Sequence, residues 1–120
     1  MDETAAAEAF AALAQETRLR VFRLLLRHGP AGLPAGDIAR RAGTPANTMS
    51  THLAVLSRAG LVQARRESRQ VFYAVELTGI RALVAFLVED CCGGRPGACA
   101  PLLDAALPLA CCGPVTGDRA

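Results

Sequence analysis

Residues 44–60 read TPANTMSTHLAVLSRAG, and this stretch decides the fold. Thr44 suits a helix N-cap, and Pro45 suits the first helical position, where its missing N–H costs nothing. Gly60 supplies the left-handed residue that ends many helices. Between them Met49, Leu53 and Leu56 recur at i, i+4 and i+7 and form one apolar stripe. Asn47, Thr51, Ala54 and Arg58 fall on the opposite face, with Ser50 at its edge. That face is small, polar and uncharged apart from Arg58, whereas a solvated helix more often carries Lys and Glu. Short side chains let a helix backbone approach base edges, where Asn, Ser and Thr can read them. Taken alone, the face still fits an ordinary surface helix. Its neighbours decide.

Upstream, residues 33–43 read LPAGDIARRAG, a helix of about two turns closed by Gly43. Two helices joined by a tight Gly-containing turn form a helix-turn-helix, whose second helix enters the major groove. Downstream, residues 61–66 and 70–75 are β-prone runs joined by Glu67, Ser68 and Arg69, a hairpin with an Arg-bearing tip. The order predicts a mostly α fold with a β-hairpin wing, a winged helix-turn-helix. Candidate DNA contacts are Asn47, Ser50 and Thr51 at the bases, with Arg58 and Arg69 on the backbone and Thr48 and His52 in the same DNA-binding set. Arg65 and Arg66 are weaker candidates, because successive strand residues face opposite ways. His52 lies on the flank of the core stripe and reads as a hydrogen-bonded structural or phosphate-touching histidine. His28, at a helix end, favours the dipole.

The 120-residue length fits one domain with a modest core. No apolar run is long enough to cross a bilayer, and no signal peptide opens the chain, so a cytoplasmic protein is expected. Net charge is only +2, but residues 37–75 hold six Arg against two acids, an excess of +4 on the candidate DNA-binding unit. Residues 2–15 predict an Ala-rich helix with Phe10 and Leu13 as its large apolar groups. It is too weakly amphipathic to stand alone, so it packs on another element or subunit. Residues 17–28 predict a scaffold helix with a Leu19, Phe22 and Leu26 stripe, Val21 and Leu25 beside it, and four Arg in water. Residues 77–90 are apolar nearly all round, and a helix of that kind must be buried all round. So small a domain cannot surround its last helix, and a second subunit is expected to supply the other wall. That predicts a homodimer with the last helix, and the first, at its interface. Residues 1–90 thus read as a DNA-binding and dimerisation domain, and 91–120 as a cysteine-rich effector segment.

All five cysteines fall in that segment: Cys91, Cys92, Cys99, Cys111 and Cys112. In a reducing compartment such clusters bind metal or sense redox state. Adjacent cysteines diverge by about 100° on a regular helix, but at an end loosened by Gly93 and Gly94 both sulfurs can turn to one point. The Gly/Pro loop can then return Cys99 over them. Three thiolates make a soft, all-sulfur site, and the four-ligand, CxxC-like spacing of structural zinc is absent. Trivalent arsenic or antimony fits that donor set. A redox or persulfide switch competes with it, because a close thiol pair can oxidise. Cys111 and Cys112 are compatible with a second site, with replacing one ligand of the first or with no role, and an accessory role is the preferred reading.

Across about residues 8–90 the chain resembles the ArsR/SmtB family of winged-helix metal-sensing repressors. The resemblance rests on Leu13-Ala14, Thr17-Arg18-Leu19 and Leu24-Leu25, on Asp37-Ile38-Ala39, and on residues 50–56, STHLAVL. It extends through Ala59-Gly60-Leu61-Val62 and the wing residues 66–69, RESR, with Tyr73. The familiar arsenic pattern of Cys-x-Cys before the third helix is missing, since residues 33–38 read LPAGDI. The last helix also lacks the Asp, His and Glu ligands of the zinc sensors. The resemblance is to members whose arsenite ligands lie beyond the last helix as a Cys pair and a later Cys, which implies Cys91, Cys92 and Cys99. It implies a homodimeric repressor of an arsenic-resistance operon on a palindromic double-stranded operator. As(III), Sb(III) or a methylated trivalent arsenical would release it. Neither membrane nor RNA is expected as a partner. An enzyme is not expected either, for want of a CxxC motif, a nucleophile–base pair or a cofactor loop.

Overall fold

Both helices of the central motif end in the same way, and that shared ending sets the geometry of the turn between them. The computed structural model describes residues 1–89. In chain order the described elements are α1 (Glu3–Leu13), α2 (Glu16–His28), β1 (Leu33–Pro34), α3 (Ala35–Ala42), α4 (Ala46–Arg58), β2 (Val62–Glu67), β3 (Gln70–Val75) and α5 (Leu77–Val88). Gly43 closes α3 at φ 66°, with Gly43 N–H donating to Arg40 O and Thr44 N–H to Ala39 O. Gly60 closes α4 at φ 80°, with Gly60 N–H donating to Ser57 O and Leu61 N–H to Leu56 O. Each is a Schellman closure, which needs one left-handed residue and satisfies the last carbonyls.

The first closure changes how α4 begins. Thr44 is not its N-cap: the Thr44 N–H is committed to α3, and its hydroxyl faces Ala42 O at 3.4 Å. Pro45 takes the cap position with no side-chain hydrogen bond, and its carbonyl accepts from Met49 N–H at 2.9 Å. The predicted stripe is where the core lies. Met49, Leu53 and Leu56 are all but inaccessible and pack with Val21, Leu25 and Ile38.

Three elements depart from the sequence reading. Residues 33 and 34 are not helical: they form β1, paired antiparallel with Tyr73 and Phe72 at the edge of a β1-β3-β2 sheet. Pro34 holds its predecessor extended. Gly32, at φ 76°, lets β3 come close enough that a Cβ there would lie 2.8 Å from Tyr73 O. In α1 the buried face is Ala6, Ala9 and Ala12, while Phe10 is 42% exposed. Small side chains allow α1 to approach closely, so its one aromatic is left outside. In α2 the buried residues are Val21, Phe22 and Leu25, and Leu19 and Leu26 face out. Arg18 heads that face at 18-21-22-25 spacing and turns inward, which rotates the helix away from the expected stripe.

The wing is a two-residue hairpin. Glu67 pairs with Gln70, leaving Ser68 and Arg69 as the loop, and Ser68 takes a positive φ of 58°. After β3, the Glu76 N–H donates to Leu61 O at 2.9 Å, and α5 begins directly against the end of α4. There Gly79 meets Gly60 backbone to backbone, and a Cβ on Gly79 would run into the Gly60 carbonyl. In α5 only Leu83 is buried, Ile80 and Phe86 pack partly on the core, and Leu77 is 63% exposed. A single chain therefore covers one flank of this apolar helix. Residues 1–86 pack as one compact unit, and a second unit starts at Leu87.

Candidate nucleic-acid interface

The outer face of α4 is built by what its inner face must do. With Met49, Leu53 and Leu56 inside, the 3.6-residue period places Asn47, Ser50, Thr51, Ala54 and Arg58 outside, and all five are exposed. Asn47 Oδ1 accepts from Thr48 N–H at 2.9 Å, and Thr51 Oγ1 donates to Asn47 O at 3.4 Å. The Asn47 side-chain amide keeps its two N–H donors for a base or phosphate acceptor. Thr48 is exposed but lies toward the flank.

His52 is turned away from that face. It is half-buried, and its Nδ1 lies 3.4 Å from Arg18 Nη1. Arg18 also donates from Nε to Ala12 O at 2.6 Å and from Nη2 to Ala11 O at 3.4 Å. Arg has donors only, so His52 Nδ1 is the acceptor. Both carbonyls lie in the last turn of α1, where Ala11 O also accepts from Ala14 N–H at 3.2 Å. One guanidinium thus joins the end of α1, the start of α2 and the middle of α4. This clasp was not legible in the sequence, where Arg18 reads as one of four solvent-facing arginines. Its signal is the 18-21-22-25 spacing, which puts a cation at the head of the apolar face.

The wing arginines divide in a similar way. Arg65 donates from Nε to Glu67 Oε2 at 2.7 Å and from Nη2 to Ala31 O at 2.8 Å, and its guanidinium lies 5.5 Å from the Phe72 ring centre. It fastens the hairpin to the loop before β1 and is spent on that contact. Arg66 and Arg69 are exposed, Arg69 at the tip. In α3 the exposed Arg40 pairs with Asp37 one turn earlier. Such a surface pair contributes little to stability.

Cys91, Cys92, Cys99, Cys111 and Cys112 lie outside the described residues. Among the described residues there is no group of three or more His, Cys, Asp or Glu arranged to hold a metal ion, and no helix is long and apolar enough to cross a membrane.

A helix-turn-helix whose second helix exposes short polar side chains, followed by an arginine-tipped hairpin, defines a winged helix-turn-helix DNA-binding protein. Comparison with known proteins agrees. A family model described as a helix-turn-helix domain matches residues 13–63. The transcriptional activator HlyU of Vibrio cholerae is 36% identical over 76 residues, which cover 63% of this chain and 68% of HlyU. The homodimeric winged helix-turn-helix domain of a possible ArsR-family regulator from Mycobacterium bovis superposes with a TM-score of 0.59 at 31% identity, covering 72% of this chain and 81% of that one. A possible transcriptional regulator for arsenical resistance superposes with a TM-score of 0.60 at 29% identity, covering 67% of this chain and 80% of that one. The chain belongs to the ArsR/HlyU type of winged helix-turn-helix transcriptional regulators. It is a DNA-binding transcriptional regulator.

Proposed function

We propose that the chain is a homodimeric repressor of an arsenic-resistance operon, released from its operator when As(III) binds Cys91, Cys92 and Cys99. The observation that carries this reading is the sequence position of the cysteines, Cys91 and Cys92 just past the end of α5 and Cys99 seven residues further on. That helix has an apolar flank uncovered in one chain and abuts the end of α4 at Gly60. Arsenous acid and three thiols exchange three As–O for three As–S bonds and release three waters. A pyramidal As(III) centre would draw the residues after α5 together, and α5 would pass the change to α4. Two relatives support parts of the reading: the homodimer from Mycobacterium bovis and the arsenical-resistance regulator. Sb(III) or a methylated trivalent arsenical presents the same thiophilic centre. Linkage requires operator DNA to weaken arsenic binding by the factor by which arsenic weakens DNA binding.

On the operator, Asn47, Ser50 and Thr51 read bases in the major groove, while Arg58, Arg66 and Arg69 touch phosphates. Arg66 joins that set because Arg65 is occupied. His52 supports the helix from its flank through Arg18, and Thr48 is exposed beside the reading face.

The test is operator binding by fluorescence anisotropy, with arsenite titrated into fully reduced protein. Release in wild type that disappears in Cys91→Ser, Cys92→Ser and Cys99→Ser, yet survives in the Cys111/Cys112 double serine, is the expected result. A second reading keeps the DNA-binding half and makes the adjacent Cys91–Cys92 pair a redox or persulfide sensor. It predicts no release under reduction and release on oxidant or persulfide, which would overturn the arsenic reading.

A further inference from the structure

A cleft of about 400 Å³ lies where α1, the start of α2 and the last turn of α4 meet, lined by Glu8, Ala11, Ala12, Arg18, Val55 and Arg58. The volume is in the range that holds a small organic ligand. Its room comes from small side chains: Ala11, Ala12 and, at the end of α4, Ala59 leave space that larger residues would fill. The walls are methyl groups, and the charges are two guanidiniums against one carboxylate. Arg18 is fixed in place by Ala12 O, Ala11 O and His52. Arg58 is exposed and forms no salt bridge among the described residues.

The exposed aromatic of α1 and the Glu8 and Ala12 edge of this cleft lie on different flanks of that helix. Phe10, the large exposed residue of α1, is two positions from both Glu8 and Ala12, about 160° around the helix from each. A partner that covers Phe10 therefore covers the other flank of α1.

We propose that this cleft binds a small carboxylate with a compact apolar body. The apolar part rests on Ala11, Ala12 and Val55, and the carboxylate pairs with Arg58, which can engage both oxygens at once. A bound carboxylate withdraws Arg58 from DNA, so the ligand acts as an effector independent of the cysteines. That last step rests on the reading of Arg58 as a phosphate contact; binding in the cleft does not.

The probe is sodium benzoate, titrated into the reduced full-length protein and followed by amide NMR, with benzamide as the neutral isostere. The expected result is saturable shifts at Ala11, Ala12, Val55 and Ala59, with benzamide roughly tenfold weaker for want of the charge-assisted bonds. Arg58→Gln lowers benzoate affinity to the benzamide level. Ala11→Leu, a change at an exposed position, fills the cleft and abolishes the shifts with the rest of the spectrum unchanged. Non-saturable shifts, or equal binding by Arg58→Gln, would overturn the proposal. In a second arm, saturating benzoate weakens operator binding by reduced wild type, and unchanged binding would overturn the effector role. Failure of benzoate-free protein to bind any operator would count against the repressor reading alone, because the NMR arm contains no DNA.

Discussion

Arg69 and Asn47 contribute to DNA binding in different currencies, and salt separates them. Arg69, exposed at the wing tip, offers charge without sequence information. Arg69→Ala is expected to weaken binding to operator and random DNA alike and to lower the slope of log K against log salt by about 1. Asn47→Ala should leave that slope unchanged and reduce discrimination at one base pair by about 1–3 kcal/mol. Anisotropy titrations at several salt concentrations measure both. The sequence made Asn47 visible because exposure on α4 follows directly from periodicity, and Arg69 because it falls in the turn between two β-prone runs. It did not make Arg18 or Arg65 visible, since their partners, His52 and Ala31, are each 34 positions away. Arginine on a helix or strand reads as solvated until the tertiary structure brings a carbonyl to it.

The elements most legible in sequence were those with both a period and a stop. α4 has three core residues in register and Gly60 behind them, and the wing has two β-prone runs around a polar tip. β1 was hidden because two residues carry no period; only its pairing with Tyr73 and Phe72 defines it. In α2 two apolar stripes competed, and the inward turn of Arg18 decided between them. The contact of Gly79 with Gly60 was equally invisible, since it depends on how closely two helices approach. It yields a test in which two effects oppose. Alanine favours a helix over glycine by about 1 kcal/mol, but at residue 79 its methyl would collide with backbone that cannot rotate away. The collision wins, because relieving it must move α5 off the end of α4, at a cost of about 1–3 kcal/mol or more. Gly79→Ala is expected to lower the urea midpoint of unfolding and to weaken operator binding together.

For the whole molecule, the uncovered flank of α5 and the exposed Phe10 on α1 define where a second copy would sit. Replacing Phe10 and Leu77 together by Glu is expected to leave the circular dichroism of the folded monomer in place. Sedimentation equilibrium should then show a monomer, with operator affinity reduced roughly a hundredfold through loss of the paired half-site. The expectation of a dimer comes from sequence, because a helix apolar on nearly all sides needs more wall than the described elements supply. The proposed effector chemistry rests on a donor set alone, the cysteines and their spacing, since ligand geometry is a property of three dimensions.

The alanine face of α1 has one more consequence, for the order in which the fold comes apart. Each buried Ala6, Ala9 and Ala12 removes little more than a methyl group from water, worth roughly 0.8 kcal/mol at most. Beyond these, Leu13 packs partly on the core and one guanidinium fastens the end of the helix. Helices held so lightly open before the rest of a domain does. Amide protons of α1 should therefore exchange with solvent deuterium well ahead of those in α4 when the protein is dilute. They should slow as concentration rises and a second copy closes over Phe10. Assembly and the last step of folding would then be one event, and dilution alone would loosen the ground on which the recognition helix stands.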